Sequence, residues 1–261
     1  MVGLAKGTWV VLLALCAGMT LNASIVVTPQ ALFRQSYALG PNGRVVIQNF
    51  YGDVRITAWD RDEVLVEAVK RSSDPRRLGE AQIVVDSSLE LVSIRTQYAG
   101  LDTDRPASVE YRITVPRNAN LENIKLVNGG LSITGVTGPV KASAINGNIK
   151  VERLEGTADL STVNGQLDVD FERVSPSNPI SLSSINGAIR LSLPPGAGAS
   201  LIANNASGGI ESAFGHVCRV SGGHRLRTNI GRGGAPIRMR NVNGGISIQS
   251  SWTRRPAHPM S

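Results

Sequence analysis

Apolar residues recur at intervals of two, three and four positions, without a break, from residue 126 to residue 169. One round of intervals spans nine residues, and periodicity of this kind is typical of repeat proteins. The two-residue interval predicts β-strands, because alternate side chains of a strand share a face. We assign to the interior Leu131, Ile133, Val136, Val140, Ala142, Ile145, Ile149, Val151, Leu154, Ala158, Leu160, Val163, Leu167 and Val169.

A glycine occupies the same place in each nine-residue unit, and in alternate units it follows an asparagine. Both residue types tolerate positive φ, so this place predicts a sharp turn and the larger period is 18 residues. Later copies of the frame add Ile185, Ala206 and Val242 to the predicted interior. The predicted turn residues are Gly52, Asn128, Gly129, Gly138, Asn146, Gly147, Gly156, Asn164, Gly165, Asn186, Gly187, Gly208, Asn243 and Gly244.

Two all-β architectures fit this pattern. One is an antiparallel meander or sandwich joined by Asn-Gly hairpins. The other is a β-solenoid with nine-residue half-coils and coils of 18–22 residues. We favour the solenoid, because the strand parity changes once per unit and a one-faced meander keeps strict alternation. In a solenoid, Asn128, Asn146 and Asn164 are placed to form a hydrogen-bonded ladder with a structural role.

The domain organisation follows from where the repeat begins and ends. Residues 1–23 have the layout of a secretory signal peptide, and residues 24–42 lead to the fold. Residues 43–250 are interpreted as one domain, with less regular flanking strands over 43–120 and regular Asn-Gly repeats over 121–250. A separate small domain at 43–120 is the alternative. Residues 251–261 form a basic C-terminal tail.

The signal peptide predicts an exported protein, in the periplasm or on the cell surface of a bacterium. Its cleavage leaves no segment long and apolar enough to span a membrane. It also removes Cys16, so Cys218 has no partner for an internal disulfide and is interpreted as a structural thiol.

No catalytic motif is found, and we predict no catalytic, cofactor-binding or metal-binding residue. Asp159, Asp168 and Asp170 are the carboxylates that a polysaccharide-cleaving β-helix would use in a groove. Their alternation with apolar residues is more typical of solvated charges on strands.

Charge is distributed unevenly along the chain. The segment from residue 212 to residue 261 contains no Asp or Glu and eight arginines, at 219, 225, 227, 232, 238, 240, 254 and 255. Arg219, Arg225, Arg227, Arg232, Arg238, Arg240, Arg254 and Arg255 are therefore predicted to attract anions. Lipid head groups, lipopolysaccharide and anionic glycans are suitable partners. Nucleic acid is not expected, because stacking aromatics are scarce, with 4% aromatic residues in the chain.

The segment from Asn49 to Asp62, which reads NFYGDVRITAWDRD, resembles the opening of the bacterial putative-adhesin family. The segment from Tyr111 to Pro116 resembles the middle of that family, and the Asn-Gly-x-Ile units resemble its body. The resemblance covers residues 43–250 and implies a β-solenoid-like fold, an extracytoplasmic location and no catalytic residues.

We therefore predict a non-enzymatic envelope or cell-surface protein with an adhesin-like binding or scaffold role. Its partner is an anionic glycan, a lipid or a protein of the envelope, and no cofactor is needed. The alternatives are a polysaccharide-active enzyme and a module of an envelope stress-response or sensing system.

Overall fold

The computed structural model describes residues 30–99, 106–214, 218–220 and 223–251. Strands account for 67% of the structure, and one 3₁₀ helix is described in full, at Pro75–Gly79. The strands are β1 (Gln30–Ala38), β2 (Arg44–Tyr51), β3 (Val54–Trp59), β4 (Glu63–Arg71), β5 (Ala81–Ser87), β6 (Leu91–Tyr98), β7 (Ser108–Pro116), β8 (Asn120–Asn128), β9 (Leu131–Thr134), β10 (Val140–Asn146), β11 (Ile149–Leu154), β12 (Ala158–Asn164), β13 (Leu167–Phe171), β14 (Ile180–Asn186), β15 (Ile189–Leu193), β16 (Ala199–Ser207), β17 (Ile210–Ser212), β18 (Cys218–Val220), β19 (Gly223–Ile230), β20 (Ala235–Asn243) and β21 (Ile246–Ser250).

These strands form two large mixed sheets. The ten-stranded sheet has the order β1-β4-β7-β3-β9-β11-β13-β15-β21-β17, and the eleven-stranded sheet has the order β18-β19-β16-β20-β14-β12-β10-β8-β2-β6-β5. Neighbours are parallel through the middle of both sheets. Antiparallel pairs occur only near the ends of the sheets. In the ten-stranded sheet they are β1–β4 and β4–β7, and in the eleven-stranded sheet they are β5–β6, β16–β19 and β18–β19.

Each Asn-Gly turn carries the chain from the eleven-stranded sheet to the ten-stranded one. Strands β10 and β11 flank the turn at Gly147, yet each pairs only with strands of its own sheet. The antiparallel meander joined by Asn-Gly hairpins is therefore wrong for the repeats. Equivalent residues stack instead: Asn146 is in register with Asn164, 18 residues on, and Ala158 with Ile180, 22 residues on.

The strands do not stack in chain order at the two ends. Strands β2 and β3 lie between β6 and β7 on one side and β8 and β9 on the other. Strands β20 and β21 likewise lie between β14 and β15 on one side and β16 and β17 on the other. The last coil that the structure describes, β20 and β21, is therefore an interior layer.

The interior between the sheets is one continuous apolar cluster that draws on both the regular and the less regular strands. The sequence interpretation of five interior positions is wrong. Ile145, Ile185 and Val242 are 47%, 44% and 44% exposed, and Val163 is only half-buried. Ala206, the fifth position of this type, is also exposed. Strict alternation continues to the end of each strand, so the residue just before each of these is the buried one.

Close backbone approach explains the turn glycines better than positive φ does. The φ of Gly147 lies outside the left-handed region, but an added Cβ would lie 1.9 Å from the carbonyl oxygen of Gly129 in the neighbouring coil. Gly244 combines both reasons, with φ of 129° and a Cβ position 2.4 Å from the carbonyl oxygen of Gly187. The positive φ expected from the sequence therefore applies to some of these turns and not to Gly147.

Candidate functional site on the outer face of the eleven-stranded sheet

A straight row of apolar side chains runs across the outer face of the eleven-stranded sheet. We call it the apolar ridge, and in spatial order it consists of Phe50, Val127, Ile145, Val163, Ile185, Val242 and Ala206. Adjacent strands are about 4.8 Å apart, so its seven positions extend over about 29 Å. Four of the six large hydrophobic side chains that are exposed among the described residues belong to it.

Polar side chains are buried directly beneath the ridge, and they explain why its apolar residues point outward. Thr162, Ser184 and Asn241 each donate a hydrogen bond to the carbonyl of the turn glycine in the neighbouring coil, at 3.0, 3.3 and 3.0 Å. A buried carbonyl without a partner is costly, so this position favours a donor over a larger apolar group. In the sequence, a small or polar residue precedes every ridge residue except Val127, which follows the buried Leu126.

Asparagines form a hydrogen-bonded ladder beside the ridge. The Nδ2 atoms of Asn146, Asn164, Asn186 and Asn243 each donate to Oδ1 of the asparagine one coil away, starting at Asn128, over 2.9, 2.8, 2.8 and 2.9 Å. The ladder predicted for residues 128, 146 and 164 is therefore present and continues across the break in chain order. It borders the ridge with neutral polar groups.

Four arginines gather at the C-terminal end of the same face. Arg225 and Arg227 on β19 and Arg238 and Arg240 on β20 are exposed and flank β16 on its two sides. We call them the arginine cluster. The Nε atom of Arg225 donates to Oδ1 of Asn204 on β16 at 2.8 Å, which holds its guanidinium against the sheet.

The carboxylates of this face are already paired. Among the described residues, its strands direct Asp86, Glu122 and Asp159 outward, and these pair with Arg95, Arg44 and Lys141 respectively. None of the described carboxylates forms an ion pair with the arginine cluster. The cluster is therefore a concentration of positive charge that attracts anions from solution.

Of the other four predicted arginines, only the side chain of Arg232 is described, and it lies outside the two strands that carry the cluster. Arg232 is exposed in the turn between β19 and β20. The side chain of Arg219 and all of Arg254 and Arg255 lie outside the described residues, as do the predicted signal peptide and Cys16. The side chain of Cys218 is likewise outside the description.

The three carboxylates considered for a polysaccharide-cleaving groove lie on different sheets. Asp159 faces outward from the eleven-stranded sheet, whereas Asp168 and Asp170 face outward from the ten-stranded one. Within the described residues, no group of three or more His, Cys, Asp or Glu is placed to hold a metal ion. No described helix is long and apolar enough to cross a bilayer.

Shifted ionisation is found at the opposite, N-terminal end of the fold. Burial raises the pKa of Tyr37 to about 12 and raises the pKa of Tyr98 and Tyr111 further. Burial also lowers the pKa of Lys70. The hydrogen bonds and charge of Arg117 hold the pKa of Asp60 below its usual value. The three tyrosines and Lys70 belong to the packing of strands near this end, and Asp60 and Arg117 form an exposed ion pair there.

No family model matches the chain, and no curated protein does. Solved structures do match. A putative cell adhesion protein from Clostridium sporogenes is 13% identical with a TM-score of 0.44, over 84% of this chain and 99% of that one. A putative adhesin from Bacteroides fragilis is 9% identical with a TM-score of 0.33, over 84% and 96%. A putative lipid binding protein from Parabacteroides distasonis is 11% identical with a TM-score of 0.30, over 84% and 96%.

Putative adhesins thus recur among the solved structures similar to this chain, in agreement with the resemblance of its sequence.

Proposed function

We propose that this chain is an exported, non-enzymatic binding protein of the bacterial envelope or cell surface, and that it holds an anionic partner on the outer face of the eleven-stranded sheet. The observation that carries the proposal is the arginine cluster: four exposed arginines on two strands that flank a third, with no described carboxylate paired to them. A local excess of positive charge is selective for anions and speeds their association.

We further propose that a single β-solenoid domain covers residues 30–250. It begins earlier than the expected residue 43, because β1 pairs with β4 and Tyr37 and Leu39 belong to the apolar interior. Parallel pairing at an 18-residue register and stacked asparagines support this architecture. The continuity of the apolar interior from β2 to β21 supports one domain over two. A rigid stack of this kind presents a long, regular face, which suits binding to an extended partner.

The signal-like layout of residues 1–23 supports export, and the structure describes none of those residues. No observation on the described residues favours the polysaccharide-active enzyme. A role as a sensing module would be indicated if the protein binds one protein partner in a fixed stoichiometry and does not bind envelope fractions in general.

The test is co-sedimentation of the purified protein with isolated envelope fractions at low and high salt. We expect binding at low salt that weakens as salt rises, because exposed charges are screened. Arg238→Gln/Arg240→Gln should weaken it. Arg55→Gln/Arg112→Gln is the matched control, since these two arginines are exposed neighbours on the ten-stranded sheet. An equal loss in both variants would show that only net charge matters and would refute the assigned face.

A further inference from the structure

We propose that the outer face of the eleven-stranded sheet docks on the surface of an anionic lipid membrane. In this arrangement the apolar ridge enters the interfacial layer and the arginine cluster contacts lipid phosphates. The inference rests on the proposed function and names its partner.

The first support is the continuity of the ridge. Soluble proteins commonly expose single apolar residues, whereas a contiguous row marks an interaction site. Phe50, Ile145, Ile185 and Val242 are each 43–47% exposed and stand in one line of about 29 Å. The other two exposed large hydrophobics, Leu32 and Leu89, lie off this line.

The second support is what borders the ridge. On one side is the asparagine ladder, which is uncharged. On the other side is the row two residues earlier in each strand, which consists of Gln48, Lys125, Ser143, Ser161, Ser183, Arg240 and Asn204. That row contains no carboxylate, and its three serines are too short to cover the ridge. Nothing next to the ridge would repel an anionic surface.

The third support is the spacing of charge and apolar contact. Arg240 and Val242 point outward from the same strand and are two residues apart, which is about 7 Å. Lys125 and Val127 repeat this arrangement on β8. The long arginine and lysine side chains reach the phosphate level while the apolar groups beside them enter the boundary with the acyl chains.

Other occupants fit this face less well. A second copy of the chain would bring like charges together, because Asp86, Glu122 and Asp159 are already paired within the face. A soluble anionic glycan would leave the ridge unused. A protein partner usually places anchor side chains in pockets, and no described pocket lies along the ridge. The depressions beside Arg190 and beside Trp59 lie away from it.

The experiment is sedimentation of the purified protein with vesicles of phosphatidylcholine, with and without phosphatidylglycerol. Binding should require phosphatidylglycerol. Each arginine near an anionic surface contributes about a fivefold factor, so Arg238→Gln/Arg240→Gln should weaken binding by about 25-fold. Loss of two half-exposed aliphatic groups in Ile185→Ser/Val242→Ser should weaken it by about tenfold.

The matched control for the ridge is Leu32→Ser/Leu89→Ser, which removes two exposed leucines outside the face. It should bind vesicles like the wild type, and all variants should keep the wild-type thermal midpoint because the changed side chains are exposed. Equal weakening by the control and the ridge variant would overturn the inference.

Three further outcomes would overturn it while leaving the proposed function intact. The first is salt-sensitive binding to envelope fractions without binding to anionic vesicles. The second is equal binding to delipidated envelope, which would indicate a glycan or a protein. The third is a dimer in analytical ultracentrifugation that the ridge variant dissociates, which would assign the ridge to a second copy. Failure to bind either vesicles or envelope fractions would refute both proposals.

Discussion

Substitution of Gly147 by alanine tests the reason given for the turn glycines. The new Cβ would lie 1.9 Å from the carbonyl oxygen of Gly129 and 2.7 Å from its carbonyl carbon. Both are backbone atoms of the neighbouring coil, so no side chain can rotate away to relieve the clash. The two coils would have to separate by more than about 1 Å to reach ordinary contact.

The cost follows from what holds the coils at their present spacing. The amide of Gly129 donates to the carbonyl of Asn146 at 3.0 Å, and Asn146 donates from its side chain to Asn128 at 2.9 Å. A separation of about 1 Å breaks both bonds, at about 1 kcal/mol each, and overpacking adds about 1–3 kcal/mol. We expect Gly147→Ala to lower the free energy of unfolding by about 3–5 kcal/mol.

The assay is urea unfolding followed by circular dichroism, with Gly209→Ala as the control. Gly209 also adjoins a turn, but an added Cβ there meets no atom within 4 Å and its φ is not in the left-handed region. This control should change stability by less than about 1 kcal/mol, in the stabilising direction if at all. Equal losses in the two variants would mean that close approach of the coils is not what requires glycine.

Three further predictions concern the polar groups. Thr162→Val keeps the shape of the side chain but removes the 3.0 Å hydrogen bond to the carbonyl of Gly147, so it should lower the free energy of unfolding by urea by about 1–2 kcal/mol. The control Ser161→Ala, at an exposed position, should leave that free energy unchanged. Asn164→Ala removes two rungs of the exposed ladder and should cost about 1 kcal/mol; no loss would show that the ladder only follows the turn geometry. Because burial raises the pKa of Tyr37 to about 12, the folded state resists its ionisation. Stability should therefore be independent of this group below about pH 10, fall as the pH rises from about 10 to about 12, and fall less steeply in Tyr37→Phe; identical pH dependence would exclude this cause.

The period of the apolar residues predicts the strands of the repeats and the 18-residue distance at which Asn146 and Asn164 lie in register. It misplaced Ile145 and Ile185 because a pattern of apolar residues treats the larger apolar side chain as the buried one. The structure buries Ala144 and Ser184 instead, since strand alternation continues to the turn. At Ser184 the hydroxyl also donates to the carbonyl of Gly165. A polar residue whose partner is a carbonyl in another coil carries no local signal of burial.

Only part of the candidate site can be predicted from the sequence. The excess of arginine after residue 212 was evident, and it pointed to anions. The arginine excess does not indicate that Arg227 and Arg238 lie on either side of Ile202. This arrangement arises because β20 pairs directly with β16 and is not the outermost strand of the sheet. The repeat units have the same spacing of apolar residues, so that spacing does not predict which strands become neighbours in the sheet.

The interior position of strands β20 and β21 affects how the protein is made. Residues 199–212 leave the ribosome before residues 235–250, yet the later segment separates them from β14 and β15. Until it arrives, the edges of β14 and β15 are open and β16 is paired only through β19. A chain cut at residue 234 loses a layer from within the stack, so proteolysis or premature termination there should leave the preceding strands prone to aggregation. Completion of the stack therefore depends on synthesis of residues 235–250.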